Sequence, residues 1–220
     1  SASVIVFWIY FPVVALFIFI FMSVIHFGLC DWSYLELGKY KWSISISHGL
    51  NIVFGIIFFH TSETFEIFAF LSNSSFIHLQ NYLFIAYFFY FILLLRYSYL
   101  AFIVPRLRWG LLEMIIVLLI VFLTEPLVGF SIYFCFIHTF KHVKSILKDT
   151  SKHLSNNKFV SITTISFTLL TWIGGSLAII YLYNNYSFEE SFIKTLFIGL
   201  AALTLPHMTL VDVFYRRKFN

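Results

Sequence analysis

The sequence has 220 residues, of which 60% are hydrophobic and only 11% are charged, and its formal net charge is +4 at pH 7. Soluble domains carry roughly 25% charged residues, so this composition excludes an ordinary soluble protein and indicates an integral membrane protein. Cys30 and Cys135 both lie in apolar segments, which argues against a disulfide-stabilised fold. No basic patch carries interleaved aromatic residues outside the apolar segments, so nucleic-acid binding is not indicated.

Apolar segments alternate with charged or turn-rich breaks along the chain, and most of them approach the ~20 residues that a membrane-spanning helix needs. In chain order, the predicted helices are 4–32, 43–60, 77–103, 109–124, 126–147, 159–184 and 191–214. We interpret Glu125-Pro126 as a hairpin between two short helices, because proline fits the first turn of a new helix. The sequence therefore predicts an all-α polytopic transmembrane bundle of about seven spans, with residues 1–220 forming one domain.

The basic residues of the chain fall in every second break. All lysines and arginines except Arg96 and Lys194 lie in the breaks near 31–42, 104–108, 141–158 and 215–220. The breaks near 61–76, 125–126 and 185–190 contain only acidic charges. By the positive-inside rule, we expect the basic breaks and the C-terminus to face the cytoplasm, in a multi-pass protein of the cell (inner or plasma) membrane.

This topology places five histidines at one depth, in the cytoplasmic third of the predicted bundle: His26, His48, His138, His142 and His207. The other three lie at the opposite face or in a basic break: His60, His78 and His153. Ionisable groups at membrane depth usually mark function, and imidazole is the commonest metal ligand. His138 and His142 lie about 40° apart around a helix and ~6 Å along it, so they can share one ion. The shared depth favours a metal site, whereas the H-x-x-x-H pair alone would favour helix capping or interfacial snorkelling.

Carboxylates accompany these histidines. Asp31 follows His26 by five residues and Asp212 follows His207 by five, and each can reach an imidazole N–H on another helix and fix its tautomer. Glu113 is interpreted as an interfacial carboxylate, with a metal role as the less favoured alternative. Without a thiolate pair, a zinc ribbon is excluded, and an all-imidazole set suits iron, copper, nickel or zinc.

Four motifs, taken in order, resemble those of the Brp/Blh family of membrane β-carotene 15,15′-dioxygenases. They are "HFGLCDW" (26–32), "HG" (48–49), "EPLVGFSIYFCFIHTFKH" (125–142) and "LPHMTLVD" (205–212). The ordered set covers nearly the whole chain and is specific, although each motif alone is weak. The resemblance implies an Fe(2+) enzyme that cleaves the central double bond of β-carotene with O₂ and yields two all-trans-retinal molecules, which rhodopsin pumps then use.

The resemblance also implies ligands for the iron. His26, His138 and His142 match three of the family's four histidines. His207 is a candidate for the fourth or, alternatively, a residue that supports the ligands or lines the pocket. Asp31, His48 and Asp212 are expected to hydrogen-bond to the ligands. The family's P-H-G-x-x-D element has no counterpart here, and the chain opens without Met, so we expect one or two further N-terminal helices and a weak or inactive fragment. The substrate-binding residues remain unassigned, although a C40 hydrocarbon implies an aromatic-lined tunnel open to the bilayer.

Other readings of the histidines remain open at the level of sequence. A di-iron membrane desaturase or hydroxylase also uses H-x-x-x-H, but no H-x-x-H-H box is present. His48 and His60, twelve residues apart, could instead ligate haem in an electron carrier. A transporter or structural helix bundle would use its histidines only for packing or proton relay. Gly174-Gly175 indicates close helix packing rather than a cofactor contact.

Overall fold

The computed structural model describes residues 2–31, 40–76, 79, 81–150 and 157–216. Each regular element within these residues is helical, which confirms the predicted all-α class. In chain order, the helices are α1 (Ala2–Tyr10), α2 (Pro12–Asp31), α3 (Lys41–Phe59), α4 (Thr61–Ser72), α5 (Leu83–Ile103), α6 (Arg108–Leu123), α7 (Pro126–Ile132), α8 (Thr139–Thr150), α9 (Asn157–Leu182) and α10 (Phe188–Arg216). A 3₁₀ turn, Pro105–Leu107, leads into α6, and a π-helical segment, Tyr133–His138, joins α7 to α8.

Five stretches of the described helices are long and apolar enough to cross a membrane. They are Pro12–Asp31, Lys41–Phe59, Leu83–Ile103, Ile165–Leu182 and Phe188–Met208. The side chains between Ile165 and Leu182 are largely exposed, as expected for a helix that presents apolar residues to lipid. These stretches agree with the composition in indicating a membrane protein.

The helix boundaries depart from the sequence-based prediction at several points, and two of these have a clear local cause. The predicted helix 4–32 is divided at Phe11 into α1 and α2, because Pro12 has no backbone N–H to continue the helical ladder. The predicted break 61–76 contains α4, whose first turn carries Glu63. An acidic residue at this position stabilises a helix N-terminus, so a charge that we interpreted as a break belongs to a helix start.

The turn between α6 and α7 agrees with the prediction. Helix α6 ends at Leu123, and α7 begins with Pro126 in its first turn, as the hairpin interpretation required. The two helices pack closely, since a Cβ added at Gly129 would lie 3.3 Å from Cα of Val121 on α6. This turn starts the helical run that carries His138 and His142.

The chain divides into two compact units, Ser1–Ala15 with Asp149–Asn220, and Leu16–Lys148. In the first unit, α10 packs against both α1 and α9. The expectation of close packing at Gly174-Gly175 is wrong, because a Cβ at either glycine would meet no described heavy atom within 4 Å. Gly174 is exposed and Gly175 is half-buried.

Helix α3 lies at the centre of the second unit and contacts α4, α5, α6 and α7. Asn51 on α3 is fully buried and joins two of its neighbours. Its side-chain amide donates to the carbonyl oxygen of Met114 on α6 at 3.2 Å, and its Oδ1 accepts from the hydroxyl of Tyr90 on α5 at 3.1 Å. Because a buried amide is costly unless it is paired, these bonds fix the position of α3.

Two glycines bring the backbones of α2 and α3 into direct contact. A Cβ at Gly28 would lie 2.0 Å from the carbonyl oxygen of Ser45, and a Cβ at Gly49 would lie 1.9 Å from that of Val24. Any larger residue would separate the helices. The contact falls beside His48, so it sets how closely the polar residues at these helix ends approach one another.

An apolar cavity of about 430 Å³ lies towards the other end of α2 and α3. Its lining includes Leu16, Ile20, Phe54, Ile57 and Phe68. On α2 and α3, these residues are six or more positions from His26 and His48, which corresponds to at least about 9 Å along each helix. The cavity therefore occupies a different level of the second unit from His26 and His48.

Candidate metal centre

Three imidazoles lie together in the second unit, one from α2 and two from the helical run that continues from α7 into α8. His26 comes from α2, His138 ends the π-helical segment, and His142 follows on α8. The ring centroids are 5.2 Å apart for His26 and His138, 6.3 Å for His26 and His142, and 6.0 Å for His138 and His142. His26 and His138 are only 6% and 4% exposed. The two histidine motifs, more than a hundred residues apart in sequence, thus form one buried cluster.

The π-helical segment sets the direction of His138. In an α-helix, residues five apart lie about 140° from each other around the axis, so Tyr133 and His138 would face different sides. The i→i+5 pattern of a π-helix brings such residues onto one face, and π-helical turns occur frequently at functional sites. Both side chains reach Asp31 at the end of α2.

Asp31 is the centre of a buried hydrogen-bond network and is 1% exposed. The Nδ1–H of His138 donates to Asp31 Oδ1 at 2.7 Å. The hydroxyl of Tyr133 donates to Oδ2 at 2.6 Å, and the Nε2–H of His48 donates to the same oxygen at 3.1 Å. Because a carboxylate only accepts, the first bond places the proton of His138 on Nδ1 and leaves a lone pair on Nε2.

A thiol contacts His26, the histidine that α2 contributes to the cluster. Cys30 Sγ lies 3.4 Å from His26 Nδ1, one helical turn away on α2. His26 and His138 thus each have a polar contact at Nδ1.

A second polar pair joins the helix that carries His142 to α6. Lys141 Nζ donates to Glu113 Oε1 at 2.6 Å, and both side chains are partly buried. Glu113 Oε1 also lies 3.9 Å from His48 Nε2. Glu113 is thus an ion-paired carboxylate near the helix ends, in line with its interpretation from sequence.

Asp31, His48 and Glu113 form another group whose ligand atoms all lie within 4.8 Å of one another. The carboxylate oxygens of this group are already engaged. Asp31 accepts from three donors, and Glu113 accepts from the ammonium of Lys141. A cation bound there would have to displace these donors.

The remaining candidates belong to the first unit or lie outside the described side chains. His207 is half-buried on α10, one residue after Pro206, and belongs to the first unit. The side chain of Asp212, and His78 and His153 as whole residues, lie outside the described part of the chain.

The haem alternative is not supported by the geometry of its two histidines. His48 donates through Nε2 to Asp31 at 3.1 Å. The Nε2–H of His60 donates to the carbonyl oxygen of Val121 at 2.8 Å. Haem ligation through these nitrogens would break both bonds.

Sequence reasoning missed Tyr133, because a tyrosine in an apolar run has many roles and no spacing rule for an α-helix pairs it with His138. Its signal is the separation of five residues combined with a π-helical turn, which was not foreseen. Fold and site together define an all-helical membrane protein with a buried histidine cluster that is hydrogen-bonded to a carboxylate.

Comparison with known proteins identifies the family. Residues 1–215 match the family model described as "Beta-carotene 15,15'-dioxygenase". A beta-carotene 15,15'-dioxygenase from uncultured marine bacterium 66A03 is 30% identical over 209 residues, which cover 95% of this chain and 75% of the relative. No solved structure matches significantly. The chain therefore belongs to the beta-carotene 15,15'-dioxygenase family of carotenoid-cleaving oxidoreductases, as the motif resemblance indicated.

Proposed function

We propose that this protein cleaves β-carotene at its central double bond with O₂ and releases two molecules of retinal. The double bond breaks, and each of its two carbons gains one oxygen atom of O₂, so no other reductant is needed. The observation that carries this proposal is the buried cluster of His26, His138 and His142, combined with family membership over almost the whole chain. No side-chain nucleophile is required.

Iron(II) is the proposed cofactor, with His26, His138 and His142 as ligands. The residues fit the ion, because neutral imidazoles suit iron and a ligating histidine commonly donates its other N–H to a carboxylate. The bond from His138 Nδ1–H to Asp31 is of this kind. Bound iron would supply the one-electron and O₂ chemistry. His207 is proposed as a fourth ligand, supported only by its predicted depth in the membrane.

The protein's own residues prepare this site. Asp31 fixes the tautomer of His138, and Tyr133 and His48 donate to the same carboxylate, so its orientation is fixed too. Phe27 covers His138, with ring centroids 4.8 Å apart, and helps to exclude water from the cluster. Apolar surroundings of this kind suit an apolar substrate.

The substrate and the apolar helices both imply a place in the lipid bilayer. We propose that the basic breaks and the C-terminus lie on the cytoplasmic side of the cell membrane, by the positive-inside rule. β-Carotene would enter from the bilayer, and the retinal product would be passed to a retinal-binding rhodopsin.

Expression in carotene-accumulating cells tests the proposal. The chain, in the context of its complete reading frame, should remove the orange colour and produce extractable retinal. His26→Ala, His138→Ala and His142→Ala should each abolish the conversion, whereas His60→Ala, which removes an imidazole at the far end of α3, should retain it. Unchanged carotene in cells that contain folded protein would contradict the proposal.

A further inference from the structure

Four aromatic rings stack along one face of the helical run α7–α8. They are His142, His138, Phe134 and Phe130, each four residues from the next. The centroids of successive rings are 6.0, 5.5 and 5.8 Å apart, and the angles between their planes are 3°, 27° and 23°. We call this set the ring ladder.

The ring ladder extends away from the proposed metal ligands. Phe130 precedes His138 by eight residues, so the two phenylalanines cover about 12 Å of helix beyond the histidines. The end of the ladder that contains His138 and His142 is the end where the reacting double bond must lie. The other end is purely hydrocarbon in character.

Phe27 on α2 packs against the buried side of the ladder. Its ring centroid lies 4.8 Å from that of His138, 6.4 Å from Phe134 and 6.3 Å from Phe130. Phe27 is buried, whereas Phe130 and Phe134 are half-buried and retain accessible ring surface. Phe136, in the same π-helical segment, is 74% exposed and faces away from this group.

We propose that the accessible ring surface of Phe130 and Phe134 in the ring ladder, supported from behind by Phe27, binds one conjugated arm of the carotenoid, an inference that rests on the proposed function. A polyene is flat, stiff and apolar, and offset-stacked aromatic rings provide flat apolar surface at a fixed orientation. Because the bond to be cleaved must lie beside the histidines, an arm of the substrate has to extend from them. The ladder is the aromatic surface that begins at His138 and continues in one direction.

Anaerobic titration with β-carotene tests this proposal, because without O₂ the substrate binds but is not consumed. The shift of the polyene absorption band reports binding. Phe134→Leu keeps an apolar side chain but removes a ring, and should weaken binding by roughly 2- to 10-fold. Phe130→Leu should have an effect of the same size. Their unfolding temperatures in detergent should match that of Phe136→Leu.

Two matched variants define the outcome. Phe136→Leu removes an exposed ring two residues from Phe134, and Phe68→Leu removes a ring from the apolar cavity near the other end of α2 and α3; both should bind like the wild type. The ladder proposal is overturned if Phe134→Leu binds β-carotene as tightly as the wild type, or if Phe68→Leu is the weakened variant. If either result is found while the wild-type protein still cleaves carotene in cells, the ladder proposal is refuted and the proposed function stands.

Discussion

Asp31 connects the two halves of the histidine cluster at the level of single residues. It ends α2, the helix of His26, and accepts a hydrogen bond from His138, which follows it by 107 residues. Sequence suggested that this carboxylate would bond to an imidazole on another helix. It did not identify which imidazole, because the choice depends on which helices are neighbours.

Asp31→Asn should weaken metal binding by about 10- to 100-fold, because the amide no longer provides a charged acceptor for His138 and His48. Competition with a chelator under anaerobic conditions measures this affinity. Glu125→Gln, which neutralises an exposed carboxylate at the α6–α7 turn, should leave it unchanged. Equal affinity in Asp31→Asn and the wild type would remove Asp31 from the site.

Tyr133→Phe should have a smaller effect than Asp31→Asn, because the bond from His138 to the carboxylate remains. A hydrogen bond to a charged group contributes about 1.5–3 kcal/mol, so the variant should lose stability of this order and only part of the metal affinity. Denaturant unfolding and chelator competition measure the two quantities.

Tyr97→Phe is the matched control for that variant, since Tyr97 is also buried and donates to the carbonyl oxygen of Leu107 at 3.3 Å. It should lower stability but leave metal affinity unchanged. If Tyr97→Phe and Tyr133→Phe had the same metal affinity as the wild type, Tyr133 would have a structural role only.

At the scale of elements, the site depends on features that a hydropathy pattern does not reveal. The run 126–147 was predicted as a helix, and the structure has a helical run there with a π-helical segment inside it. Hydrophobic periodicity does not distinguish a π-turn from an α-turn within a continuous apolar run. That turn brings Tyr133 and His138 onto one face, so the missed element and the missed residue have the same cause.

The glycine contact between α2 and α3 supplies a prediction at this scale. Gly49→Ala would place a Cβ 1.9 Å from the carbonyl oxygen of Val24, so the helices must move apart and His48 must shift from Asp31. Overpacking of this kind costs about 1–3 kcal/mol or more. Unfolding in detergent should show the loss, accompanied by weaker metal binding.

Gly174→Ala provides the contrast. Its Cβ would meet no described heavy atom within 4 Å, so the substitution should be neutral or stabilise α9 by up to about 1 kcal/mol through helix propensity. A Gly49→Ala protein as stable as Gly174→Ala would show that α2 and α3 are not in close contact.

At the scale of the whole molecule, composition was sufficient for the class of the protein and insufficient for its details. A chain with 60% hydrophobic and 11% charged residues is a membrane protein, and long apolar runs become helices because backbone groups in lipid must be paired internally. The α1–α2 division and α4 were not predicted. Both depend on local effects, a missing N–H at Pro12 and an acidic first turn, that a hydropathy average conceals.

For the histidine cluster, the sequence predicted the depth of the residues but not their contacts. Charge alternation placed His26, His138 and His142 at one depth, and the structure brings these three rings within 6.3 Å of one another. Charge alternation also gave His48 the same depth, but His48 donates to Asp31 from α3 and is not one of these three rings. Depth alone therefore did not separate the imidazoles of the cluster from an imidazole that supports it.

Metal content per chain tests the central claim most directly. Protein purified without oxygen, in the context of the complete reading frame, should contain one iron per chain. His26→Ala, His138→Ala and His142→Ala should each reduce the iron to background, while His60→Ala retains it. Iron that persists in the three variants, or two irons per wild-type chain, would contradict the proposed three-histidine centre.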